Sequence, residues 1–146
     1  MPFHTIRIDE WEGKIKRFVS AQDEATVSIE QLQYSFKNLA HWEDLGDTGS
    51  TLYRAMTHVR LRDEKQPSRL NVHKMMLLGL ILCPGSNDLK ARVLYDVLQD
   101  NLQKTISAND KDFKITFARH VEIAYCLIID LCLEINDFSK EDTEHI

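Results

Sequence analysis

The sequence is short of the residues that break, staple or stiffen a chain. Its 146 residues include 5 Gly, 3 Pro and 3 Cys. So little Gly and Pro excludes collagen-like and low-complexity organisation. Cys83, Cys126 and Cys132 are odd in number and form no CxxC pair, so free thiols in a reducing compartment are expected rather than a disulfide framework. The N-terminal stretch MPFHTIRIDEWEG has no basic region followed by an apolar core, so no secretory signal is expected. A bilayer span needs about 18 or more apolar residues in a row, and none occurs. The densest run, Ala124 to Leu133, is short and holds Asp130, so the chain is expected not to be transmembrane. Positive charge is also lacking: 18 Lys and Arg stand against 23 Asp and Glu, a net charge of −5. Without a global positive field, no nucleic-acid partner is expected.

What the chain does have is apolar content, 43% of it, with 28% charged residues. That composition is globular and too apolar for extensive disorder. Apolar residues recur at helical spacing in Ile8, Trp11, Ile15, Phe18 and Val19, in Ile29, Leu32, Phe36 and Leu39, and in Leu52, Tyr53, Met56 and Val59. Gly46 and Gly49, with Asp44 and Asp47, mark a break, and the polar segment 60–69 holds Pro67 and reads as a loop. Val72, Met75, Met76, Leu78 and Leu80 begin a strongly apolar helix that Pro84-Gly85 stops. Ser86 can cap the next one, which carries Leu89, Val93, Leu94, Val97 and Leu98 on one face. A polar segment covers residues 99–110, a long helical pattern runs from about Phe113 to Ile135, and an acidic tail follows at 136–146. No strand of period two appears; Val27 and Ile106, each just before a helix, suit at most a very short bridge. The fold class is therefore all-α.

Two polar loops end alike, in an aliphatic residue followed by a helix: Leu70 in SRLNVHKM and Ile106 in KTISANDKD, 36 residues apart. Helix, twelve-residue loop and helix, repeated at that distance, resembles a pair of EF-hands, whose loops meet through an aliphatic at position 8. The order TVSIEQLQYSF, then LILCPGSNDLKARVLYDVL, resembles the neuronal calcium sensor and calaxin-like branch of that superfamily. The resemblance covers roughly residues 5–130. It implies one EF-hand-like domain over 1–146, with a degenerate first hand at about 5–40 and paired hands at about 50–84 and 86–130. It also implies that Leu70 and Ile106 are loop-pairing neighbours.

The calcium chemistry does not follow the resemblance. Such a loop needs oxygen ligands at positions 1, 3, 5, 7, 9 and 12, glycine at 6 and a bidentate carboxylate at 12. Aligned on Leu70, the middle loop offers Asp63, Lys65, Pro67, Arg69, Asn71 and Lys74, with Ser68 in the glycine place. Aligned on Ile106, the last loop offers Gln99, Asn101, Gln103, Thr105, Ser107 and Asp110, with Lys104 in that place. Aligned on Val27, the first offers Ser20, Gln22, Glu24, Thr26, Ser28 and Gln31, with Ala25 there. Its distance to the middle loop is 43 residues, which makes it the irregular member. Cations and amides at ligand positions repel or fail a divalent ion, so no metal and no cofactor is expected.

Other chemistry is thinner. Asp63 and Glu64 among Arg60, Arg62 and Lys65 read better as a solvated loop than as metal ligands. Cys126, Cys132 and His120 lack zinc spacing and a fourth ligand, so core cysteines are the better reading. Cys83 before Pro84 reads as a packing residue rather than a reactive thiol. His58, His73 and His120 adjoin no nucleophile motif, and neither GxGxxG nor a P-loop occurs, so no catalytic residue is expected.

The positive segment Arg54, Arg60, Arg62, Lys65, Arg69 and Lys74 either meets an acidic partner or is matched internally by Asp137, Glu141, Asp142 and Glu144. The Met- and Leu-rich stripe from Val72 to Leu82 and the segment AYCLIIDLCL exceed what one small domain covers easily, ordinary core packing being the alternative. In an EF-hand arrangement these exit helices form a groove for an amphipathic helix. The partner-binding residues expected are thus Met75, Met76, Leu78, Tyr125, Ile128 and Leu131, with Arg60, Arg62 and Arg69 orienting the partner. The resulting expectation is a non-enzymatic, calcium-independent adaptor in a larger assembly, and the family resemblance implies a cytoplasmic, cytoskeletal or ciliary setting. A calcium sensor with atypical loops, and a small helical enzyme or unrelated bundle, are the alternatives.

Overall fold

The computed structural model describes residues 1–19 and 25–102 and, beyond them, Ala118, Arg119, Val121, Glu122, Cys126, Ile129, Asp130 and Leu133. The described chain is mostly helical with one small sheet. Helix α1 spans Ile8–Lys16, strand β1 Thr26–Ser28, helix α2 Ile29–Phe36, helix α3 Thr51–Met56, strand β2 Arg69–Asn71, helix α4 Val72–Leu82 and helix α5 Asn87–Leu102. Short 3-10 turns cover Pro2–Thr5, Glu43–Gly46 and Val59–Leu61. The eight residues described beyond Leu102 are helical.

The helix starts are written in the sequence. Ser28 Oγ accepts from Gln31 N while Gln31 Oε1 accepts from Ser28 N, a capping box that satisfies two otherwise orphan amides of α2. Ser50 caps α3 through Tyr53 N, Asn71 caps α4 through Lys74 N, and Ser86 Oγ accepts from Leu89 N at the head of α5. Helix α4 ends where Cys83 turns extended ahead of Pro84. Two sequence expectations shift. Helix α5 runs on through Leu102, into the segment read as a polar loop. Val59, read as part of an apolar stripe, lies in a 3-10 turn and is 70% exposed, because α3 has already ended at Met56.

The sheet is two antiparallel strands of three residues, pairing Thr26 with Asn71, Val27 with Leu70 and Ser28 with Arg69. Val72 N extends the ladder to Ala25 O. The strands tie two helix–loop–helix units together, α1–β1–α2 and α3–β2–α4.

Helix α4 is the centre. Met75, Met76, Leu77, Leu78 and Gly79 are buried in succession, so its middle turn is covered all round, with α1 and α5 packed against the helix, while Ile81 near its end is 45% exposed. Trp11 of α1 lies across it. Its indole Nε1 donates to Met75 O at 3.0 Å, and a methyl added at Gly79 would stand inside the same indole. Phe3, Trp11, Phe36 and Trp42 form an aromatic cluster with neighbouring centroids 4.6 to 5.9 Å apart. Such edge-to-face and tilted pairs add about 0.5–1.5 kcal/mol each beyond their buried area.

Candidate functional site: a paired loop closed by its own cation

The partner of Leu70 is Val27. Arg62 bridges the other side of Leu70, and Asp63 N donates to Arg69 O, so both backbone edges of Leu70 are taken. Ile106, the neighbour expected for Leu70, lies outside the described residues. The loop that seemed irregular by spacing is thus the one paired with the middle loop. Side chains reinforce the pairing: Arg69 Nε donates to Thr26 Oγ1 at 2.9 Å, and its Nη2 to Gln31 Oε1 at 3.4 Å.

Within the middle loop, Asp63 is consumed by its own chain. Its Oδ2 accepts from the amides of Lys65 and Gln66 at 3.1 and 2.9 Å, and its Oδ1 accepts from Asn71 Nδ2 at 3.1 Å. Asn71 therefore serves two ends at once, capping α4 through Oδ1 and holding Asp63 through Nδ2. Lys74, at the place of the twelfth ligand, folds back over the loop. Its Nζ donates to Arg62 O at 3.3 Å and stands 3.9 Å from Glu64 Oε1. Asp63, Glu64, Lys65, Asn71 and Lys74 line one hollow. Two carboxylates and two ammonium groups leave it with no net charge, whereas a calcium loop concentrates negative charge. In the last loop, two proposed ligand positions, Gln99 and Asn101, belong to α5. Of the first loop's six, Ser20, Gln22 and Glu24 lie outside the described residues. No group of three or more His, Cys, Asp or Glu side chains able to hold a metal occurs among the described residues.

The expected partner groove is corrected in part. Met75, Met76 and Leu78 are 0%, 0% and 1% exposed, closed over by the chain itself, so they offer no surface. The apolar excess of α4 is explained by its central position. Tyr125, Ile128 and Leu131 lie outside the described residues. The charged set is corrected too. Arg62 donates from Nε to Thr57 O and from Nη1 to Pro67 O, and Arg69 is spent on the first loop, so both are structural. Arg60 pairs with Asp130 at 2.9 Å, while Asp137, Glu141, Asp142 and Glu144, the internal match considered for the positive segment, lie outside the described residues.

Cys83 is buried, and burial pushes its thiol up to about 12, Lys90 opposing the rise. A thiol so protonated is inert. His58 Nδ1 accepts from Arg60 N. Cys126 is exposed, while His120 and Cys132 lie outside the described residues. No helix among the described residues is long and apolar enough to cross a membrane. The features absent from the sequence reading are Phe3 and Trp42 in the core, and an exposed group of rings and cations at Arg17, Phe18, Tyr34 and Lys37. Periodicity signals Phe18 as core, yet it is 38% exposed, because α1 ends at Lys16.

Comparison with protein-family models, with curated proteins and with solved structures finds no match.

Proposed function

We propose that the protein is a non-enzymatic, calcium-independent adaptor built on a degenerate EF-hand pair. The pair joins the first and middle loops, residues 20–31 and 63–74, through Val27 and Leu70, rather than the middle and last. One observation carries the reading: the middle loop keeps the helix–loop–strand–helix geometry while Asn71 holds Asp63 and the Lys74 ammonium donates to Arg62 O beside Glu64, at the hollow where a divalent ion would sit. A loop already neutral and hydrogen-bonded gains little from calcium, so its helices stay in one arrangement, as suits a fixed subunit.

The partner is an amphipathic helix of a larger assembly. Support comes from the helical positions described beyond Leu102, where exposed Cys126, Ile129 and Leu133 follow one another at spacings of three and four, the pattern of an interhelical seam. Asp130, another of these positions, pairs with Arg60. A cytoplasmic cytoskeletal or ciliary assembly is the setting implied by the EF-hand resemblance.

The test is retention. The full chain, tagged and purified with its native partner, is washed with chelator and then with millimolar calcium. The partner stays bound in both washes. Release or capture by either wash replaces this reading with that of a calcium sensor.

A further inference from the structure

We propose that Arg17, Phe18, Tyr34 and Lys37 form a second docking surface, for an acidic segment of a partner protein. The proposal deepens the adaptor reading and rests on it. Arg17 closes α1 and Lys37 closes α2, so the junction of the two helices brings the four side chains together. Phe18 and Tyr34 meet edge to face with centroids 5.8 Å apart, and they remain 38% and 50% exposed. The Arg17 guanidinium lies 5.4 Å from the Phe18 centroid and 5.0 Å from that of Tyr34, and Lys37 Nζ lies 5.1 Å from the Tyr34 centroid. No described carboxylate forms an ion pair with Arg17 or Lys37. By contrast, Arg7, Lys16, Arg60, Lys74 and Arg92 each have an acidic partner.

The chemistry selects the occupant. Rings hold the guanidinium in place before any partner arrives, so less side-chain freedom is lost on binding. A held guanidinium presents a planar fork, which matches a carboxylate in bidentate fashion. The exposed ring edges suit apolar residues flanking that carboxylate. An anionic membrane calls for clusters of about four to eight basic residues, and this surface has two. Nucleic acid calls for many phosphate contacts, and the chain carries a net charge of −5. A protein segment with carboxylates beside apolar residues fits both the number of cations and the rings.

The probe is a short synthetic peptide of Asp-Glu pairs separated by leucines, titrated into the isotope-labelled full chain. Backbone amide shifts report the site. Parallel titrations use phosphatidylserine–phosphatidylcholine vesicles and a single-stranded DNA oligonucleotide. The peptide should shift the amides of Arg17, Phe18, Tyr34 and Lys37 saturably, and less so as salt rises. Arg17→Glu with Lys37→Glu should weaken it by about tenfold or more, since both attractions become repulsions. Arg17→Lys should weaken it less, losing the fork but keeping the charge. Unchanged shifts elsewhere show that the variants stay folded.

Equal peptide affinity in the double variant overturns the proposal, as does no shift of these four amides. Shifts with vesicles or DNA but not with peptide overturn it in favour of a membrane or nucleic acid. The adaptor reading fails separately, through calcium-dependent release of the native partner, which this titration does not measure.

Discussion

The two helix–loop–helix units share a topology and differ in what their second helices do. Helix α2 packs on one side, against α1, β1 and the turn at Glu43–Gly46, and leaves Tyr34 half exposed. Helix α4 is buried all round through residues 75–79, with α1 and α5 packed against it. The loops differ in the same sense. The first lends hydroxyl and amide groups to its neighbour, through Thr26 and Gln31. The middle one closes on itself through Asp63, Asn71 and Lys74. A pseudo-repeat thus divides its labour: both units feed the core, the second supplies its central helix and a closed loop, and the first supplies the exposed rings of Phe18 and Tyr34.

The comparison breaks most visibly at the α1–α4 contact. Trp11→Ala should cost about 3–5 kcal/mol in chemical denaturation, by opening a cavity and removing the indole's bond to the Met75 carbonyl. Gly79→Ala should be comparably harmful, because its methyl meets the Trp11 ring. Tyr34→Ala, on the matching helix of the first unit, should stay within about 0.5 kcal/mol. A Trp11 variant as stable as the wild type would remove α4 from the centre of the fold.

Next in size is the strand pair. Leu70→Ala should cost about 2–4 kcal/mol, since Leu70 is fully buried. Combined with Val27→Ala, it should show a coupling of at least about 0.5 kcal/mol in a double-mutant cycle. Strict additivity would mean that the two loops are not energetically paired.

The caps sharpen the difference between the loops. Ser28→Ala should lose about 1 kcal/mol, the ordinary value of a cap. Asn71→Ala should lose more, because it also leaves Asp63 short of a donor. Equal losses would mean that the Asn71–Asp63 bond adds nothing.

The smallest effect near neutral pH concerns Cys83. Its thiol in the folded chain ionises near 12, against 9.0 for an unperturbed cysteine. Between those values the folded state binds the extra proton, so stability is constant below about pH 9 and falls as pH rises above it. At neutral pH a maleimide should label exposed Cys126 and leave Cys83 unmodified in the folded chain. Equal labelling would show that α4 opens at its end.

Much of this was legible in the sequence, and the exceptions have physical causes. The apolar stripes led by Ile8, Ile29 and Val72 and the stop at Pro84 are local signals, and the helices stand where they indicate. The partner of Leu70 was not legible, because strand pairing is a long-range choice that loop spacing predicts poorly: 36 residues looked regular and 43 did not. The fate of the arginines was hidden for a similar reason. A basic segment in sequence reads as a surface, but Arg62 and Arg69 point their guanidinium groups at carbonyl, hydroxyl and amide oxygens that only folding brings near. Conversely, Arg17 and Lys37 are 20 residues apart in the chain, and their shared surface exists only because two helices end together. The missing calcium ligands were plain from residue types, but the folding back of Lys74 to Arg62 O was not.

The most direct measurement is the thermal midpoint of the full chain in chelator and in millimolar calcium, beside that of Lys74→Glu. An ion that binds only the folded state must raise Tm as its concentration rises. The account predicts an unchanged Tm for the natural chain in both solutions. It predicts a lower Tm for Lys74→Glu in chelator, recovered in part by calcium, because that variant turns the hollow negative. A saturable rise in the Tm of the natural chain with calcium would contradict it.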